Sequence, residues 1–184
     1  MNTLRALLMS LLFVPVMALA QAAPLTVCMA EDNPPFSMAR KGQVTGFDVK
    51  LAEAVARELG RELKLVPFEP EVEKEAMLTH EVNAMLSAGL CDLASGFPLL
   101  ASDLGPPSRE RFKTPDHPGA KPPRERPWIA LGTLVPSQPY QGTALVIVQR
   151  AGAPAAASLG ELKGRKVAAV AGTREGTLVA MYGG

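Results

Sequence analysis

Apolar and polar positions along this chain switch between a strand-like run and a helix-like period in a fixed order. Leu25-Thr26-Val27-Cys28-Met29-Ala30 is a short apolar run that predicts a first strand. A Pro-rich polar turn with one aromatic follows, Asp32-Asn33-Pro34-Pro35-Phe36, and Gly46-Phe47-Asp48 then opens a helix. In that helix Phe47, Leu51, Val55 and Leu59 recur every four residues, with Val49, Ala52 and Ala56 widening the apolar stripe. Lys50, Glu53, Arg57 and Glu58 fill the other face, Asp48 stands in the first turn, and Gly60 is the expected C-cap. Leu63-Lys64-Leu65-Val66-Pro67 predicts a second strand ended by its proline. A second helix between about Val72 and Ala88 is carried by Ala76, Met77, Val82, Met85 and Leu86, its methionines serving the core. Gly89 ends it, and Leu90-Cys91-Asp92-Leu93-Ala94 begins a third strand. Strand, helix, strand, helix, strand predicts an α/β fold with a mostly parallel sheet, flanking helices and right-handed crossovers. In such sheets the loops at the carboxyl ends of the strands are where ligands bind.

The pattern breaks down from residue 100 to residue 127, where prolines crowd among charged residues with little apolar periodicity. A structureless run of that length inside a domain is expected to be a mobile surface insertion or a functional lid, with insertion the favoured reading. His117 within it is expected to face solvent, and His80 to lie on a helix surface. Order resumes at Trp128. Thr143 to Val148 and Lys166 to Val170 predict two further strands, Ala151 to Ser158 a small-residue linker, and Leu159 to Gly164 one short helical turn. Ala171 to Gly176 turns toward a helix start, and the sequence then stops at Gly184. The expected division is a signal peptide at 1–22, a first lobe at 23–150 and the start of an incomplete second lobe at 151–184, so the chain reads as a gene fragment or frameshifted product.

Composition adds the compartment. Residues 1–22 carry one charge, Arg5, then an apolar run from Leu7 to Leu19 and the small-x-small triplet Ala18-Leu19-Ala20, as an export signal requires. The run is short for a bilayer crossing, so no stable membrane insertion is expected after cleavage. The remaining chain of about 160 residues is long enough for one sizeable core. The full sequence has 19 basic and 18 acidic residues, so removal of Arg5 leaves a balanced chain. That balance, with few aromatics, argues against nucleic acid as a partner. A bacterial-looking signal places the chain in the periplasm, where disulfides persist. Cys28 and Cys91, the two cysteines, fall on short apolar segments that can be adjacent parallel strands; a disulfide is the favoured reading and two buried thiols the alternative. No Cys-x-x-Cys is present and neither histidine stands at ligand spacing, so no metal or other cofactor is expected.

Taken together, Asn33-Pro34-Pro35-Phe36, Gly46-Phe47-Asp48-Val49-Lys50-Leu51-Ala52, Gly89-Leu90-Cys91-Asp92-Leu93, Ser137-Gln138-Pro139-Tyr140 and Leu162-Lys163-Gly164-Arg165-Lys166-Val167 running into Gly172-Thr173 resemble the bacterial extracellular solute-binding proteins of the amino-acid-binding type, family 3. The resemblance implies two α/β lobes joined by a hinge, a monomer that clamps a small solute and passes it to an ABC permease. It implies that Asn33 and Phe36 line the cleft from the first-strand loop, and that Ser95, Gly96 and Phe97 do so from the loop after the third strand. Thr173 and Arg174 match a second-lobe loop whose N–H groups receive a carboxylate at a helix start, a physically suitable place for an anion. The arginine that relatives pair with the ligand carboxylate corresponds to one of Arg109, Arg111, Arg124 and Arg126, of which Arg126 is carried into the expected set. The early cysteine, the Asn-Pro-Pro-Phe-Ser run and Cys91-Asp92 are also similar to binding-protein-like partners of periplasmic quinoprotein alcohol dehydrogenases. An enzyme is the different-class alternative, built on Glu31 and Asp32 beside Glu69 and Glu71. No spacing holds two of those carboxylates on one cleft face, and no nucleophile elbow, phosphate loop or dinucleotide fingerprint is present.

Overall fold

A computed structural model of the chain describes residues 22–71, 78–97, 99, 104–106, 109–142, 144–170 and 173–183. Residues 1–21 of the expected signal peptide, the beginning of the second predicted helix, Pro98 and Gly172 lie outside those residues. The centre is a three-stranded parallel sheet of β1 (Leu25–Ala30), β5 (Leu63–Phe68) and β6 (Leu93–Ala94), in the order β5-β1-β6. Between them in sequence lie β2 (Asp32–Asn33), β3 (Ser37–Arg40), β4 (Gln43–Thr45), α1 (Phe47–Glu58) and α2 (Leu78–Ser87).

Strand geometry sends successive side chains to opposite faces, and β1 is covered on both. Leu25, Val27 and Met29 pack with Val49, Ala52 and Ala56 of α1. Cys28 points the other way, into a cluster with Val66, Phe68, Val82, Met85 and Cys91 under α2. A sheet sandwiched between helices is thus the expected α/β architecture. The two cysteines are joined in a disulfide, with Cα atoms 5.7 Å apart.

Gly60 closes α1 at φ 61, with the Gly60 N–H on the Arg57 carbonyl and the Arg61 N–H on the Ala56 carbonyl. Those two bonds are a complete Schellman cap. Pro67 does not end its strand, which continues to Phe68. The bonds from β1 reach the carbonyls of Glu62 and Phe68, so the odd-numbered Pro67 faces the open edge of the sheet, where no N–H is needed.

Three elements depart further from expectation. The polar turn after β1 is a small antiparallel sheet of β2, β3 and β4, whose hairpin turns through Lys41 and Gly42, both at positive φ. The Pro-rich segment is folded in its described part, not structureless. Strand β7 (Arg111–Phe112) pairs with β8 (Ile129–Ala130), a 3-10 turn spans Pro123–Glu125, and Thr114 and Pro115 are buried. His80 of α2 is half-buried against Phe112, their ring centroids 4.5 Å apart, and does not lie free on the helix surface. His117 is likewise half-buried. Finally, neither 144–148 nor 166–170 forms a strand: Val146 is 78% and Val148 89% exposed, and no neighbouring chain supplies the ladder among the described residues. After β8 the elements are a 3-10 turn at Leu159–Leu162 and α3 (Arg174–Gly183), which pack on each other.

Candidate ligand site at the carboxyl end of the sheet

The loops leaving β1 and β6 meet the start of α1, and Asp48 lies at their junction. Gly46 makes this possible. Its φ is 140, and a Cβ there would sit 2.1 Å from the Phe36 carbonyl oxygen, so only glycine lets the β2–β4 sheet touch the helix start. The Asp48 N–H donates to the Phe36 carbonyl at 2.9 Å, and the Phe47 N–H to the Pro35 carbonyl at 3.1 Å. Ser37 is buried, its hydroxyl donating to the Ala30 carbonyl at 2.6 Å, which ties the hairpin to the end of β1.

Asp48 itself is fully buried. Its Oδ1 accepts from the Tyr140 hydroxyl at 3.1 Å, while Oδ2 is buried with no hydrogen-bond partner. Gly96, at φ 86, lies directly over that oxygen: a Cβ on Gly96 would stand 2.7 Å from Asp48 Oδ2 and 3.4 Å from Asn33 Nδ2. The Ser95 N–H donates to the Cys28 carbonyl at 3.0 Å, which fixes the loop to β1 beside the disulfide. Tyr140 arrives from a distant part of the chain. Its oxygen lies 3.2 Å from both Ser95 Oγ and the Gly96 nitrogen, and its ring stacks on Phe47 at 6.2 Å. Burial, opposed by the Ser95 bond and reinforced by the Asp48 charge, holds the Tyr140 phenol above its ordinary pKa.

Of the residues singled out in the sequence, Asn33, Ser95 and Gly96 lie together at this junction. Phe36 contributes its backbone to the helix start and is half-buried, whereas Phe97 stacks on Phe68 at 5.8 Å and packs against the core under α2. Arg126 is engaged elsewhere. Its guanidinium donates to the Lys121 carbonyl at 2.6 Å, to the Thr114 carbonyl at 2.9 Å and to Asp116, so it ties the Pro-rich segment to itself. Thr173 caps α3, its hydroxyl oxygen accepting from the Gly176 N–H at 3.2 Å. No hydrogen bond among the described residues joins it to Asn33, Ser95 or Gly96, and the Arg174 side chain lies outside the description. Sequence reasoning treated Asp48 as a first-turn helix charge and Tyr140 as part of a motif. The available signal was the glycine before Asp48 and the isolated tyrosine after a proline.

The acidic pair Glu69 and Glu71 lines a pocket with Pro70 and Asp116, just past the carboxyl end of β5. Among the described residues no group of three His, Cys, Asp or Glu could hold a metal ion, and no helix is long and apolar enough to cross a membrane.

A parallel sheet between helices, with its polar cluster beyond the carboxyl ends of the strands, defines a periplasmic-binding-protein-like α/β lobe. Residues 25–90 match the family model for bacterial extracellular solute-binding proteins, family 3. Among solved structures the chain is similar to an ancestral cationic amino acid solute-binding protein, at 30% identity and a TM-score of 0.36, over 48% of this chain and 35% of that one. The chain thus spans about a third of that structure's length. Comparison with curated proteins finds no match.

Proposed function

We propose that this protein is a non-catalytic periplasmic binding protein whose first lobe offers one wall of a cleft to a small polar solute, an amino acid or related organic acid, for delivery to an ABC importer. The observation that carries this reading is the convergence of Asn33, Ser95 and Gly96 on a buried Asp48 at the carboxyl end of the parallel strands. Thr173 and Arg174 would meet the solute from the opposite side, across a hinge that closes when ligand favours the closed population. Arg126 stays in its internal clamp and acts as a brace. Export through the Sec pathway and a monomeric state complete the reading. Isothermal titration of the full chain against amino acids and small organic acids, with lobe separation followed by small-angle scattering, is the test. Saturable binding with a change in separation is expected; no binding across the panel overturns the reading.

The bridged Cys28 and Cys91 favour a second reading, an accessory partner of a periplasmic quinoprotein alcohol dehydrogenase. Co-purification of a dehydrogenase from periplasmic extract would support that role, and co-purification of a permease the first.

A further inference from the structure

The Tyr140 hydroxyl fills a complete hydrogen-bonding position at the candidate site. A phenol has one proton to give and two lone pairs to offer. The proton goes to Asp48 Oδ1 at 3.1 Å, so the Ser95 hydroxyl and the Gly96 N–H, each 3.2 Å away, are the donors to the phenol oxygen. One acceptor and two donors around a single oxygen describe a site for a hydroxyl group. A carboxylate oxygen has no proton for Asp48, and an ammonium has no lone pair for Gly96.

Two features mark this position as more than a packing contact. Asp48 is fully buried, yet its second oxygen has no partner, so the cluster retains acceptor capacity that the tyrosine does not use. Tyr140 belongs to residues 131–142, which form no helix or strand, and it is 44% exposed. It is also held across a sequence separation of 92 residues from Asp48. A side chain on irregular backbone, half open to solvent, leaves such a position more readily than one on a strand.

We propose that Asp48, Ser95 and Gly96 form a subsite for a hydroxyl group, occupied in this structure by Tyr140 as a tethered internal ligand that a hydroxyl-bearing solute displaces. This rests on the solute-binding reading and narrows it, since the solute carries a hydroxyl where it meets the first lobe and competes with a residue of the protein itself.

The test follows backbone amide signals of the full chain by NMR in wild type, Tyr140→Ala and Tyr140→Phe. The added probes are p-cresol, which reproduces the tyrosine side chain, and toluene, which lacks only the hydroxyl. In Tyr140→Ala, p-cresol is expected to move the Ser95 and Gly96 amide signals saturably toward their wild-type positions, whereas toluene leaves them in place. Wild type should respond to p-cresol only at concentrations at least about tenfold higher, because the tethered tyrosine competes for the position, and not to toluene. Equal responses to the two probes, or a wild-type response matching the variant's, would overturn the proposal. Should Tyr140→Ala fail to fold, Tyr140→Phe carries the test: loss of the phenol oxygen should speed Gly96 amide exchange at least about tenfold, and an unchanged rate overturns it. If p-cresol binds as described while no amino acid or organic acid binds any variant, the subsite stands and the delivery function fails.

Discussion

Gly46 decides whether the polar hairpin can meet the first helix. A Cβ there would collide with backbone at 2.1 Å, and backbone cannot swing aside as a side chain can. Gly46→Ala should therefore cost at least about 3 kcal/mol, read as a lower denaturant midpoint with an unchanged slope. Gly96 differs, because its added Cβ would meet the end of the Asp48 side chain at 2.7 Å. Gly96→Ala is expected to leave the fold in place while weakening solute binding at least about tenfold, equal to about 1.4 kcal/mol, as measured by titration. Neither glycine's role is visible in composition. What the sequence did show was Gly46 opening a periodic helix and Gly96 two residues beyond a short apolar run, which placed both near the strand ends but gave no hint of what they touch.

Elements with a clear local period of apolar residues were the ones legible in the sequence. Strand β1 and helix α1 follow from local period, and the Gly60 cap from a single residue. The β3–β4 hairpin was missed because its turn uses Lys41-Gly42 in place of the Asn-Gly or Asp-Gly pairs that announce such turns. Residues 144–148 and 166–170 show the opposite failure: β-branched composition suits a strand, but a strand exists only when a ladder partner pairs with it. The Pro-rich segment hid its order because Arg126 supplies it through bonds to two carbonyls and Asp116, which no periodicity reports. Its fork holds partners at separate positions, so Arg126→Lys should not rescue it; both Arg126→Lys and Arg126→Ala are expected to lose about 3 kcal/mol in a denaturant melt and to speed amide exchange at Thr114. The disulfide stabilises β6, a strand of two residues, by joining Cys91 to β1. With cysteines separated by 63 positions, replacing both by alanine should cost about 4 kcal/mol and loosen the Ser95–Gly96 loop.

At the scale of the whole molecule, α2 joins the sheet to the folded Pro-rich segment. Asn83 donates to the Gly132 carbonyl at 2.7 Å and accepts from its N–H at 3.0 Å, which directs the chain after β8 along the helix before it reaches Tyr140. On the same helix Glu81 is buried, with one oxygen on the Glu71 N–H at 2.8 Å and the other unpartnered. Burial raises its pKa to about 7 despite that bond. The native state thus holds a proton that the unfolded chain releases near 4.5, so stability falls as pH rises from about 4.5 through 7. The loss should reach about 3 kcal/mol, and Glu81→Gln should flatten that part of the melting profile and exceed wild type at pH 8. A profile of unchanged slope in the glutamine variant would refute this origin.

The central claim is that the first lobe binds solute through the loops at the carboxyl end of its parallel strands. Its most direct test is amide-resolved NMR titration of the full chain with amino acids and small organic acids. Saturable shifts concentrated at Asn33, Ser95 and Gly96 are the predicted result; saturable binding that leaves those three amides unmoved, or the absence of any bound solute, would contradict it.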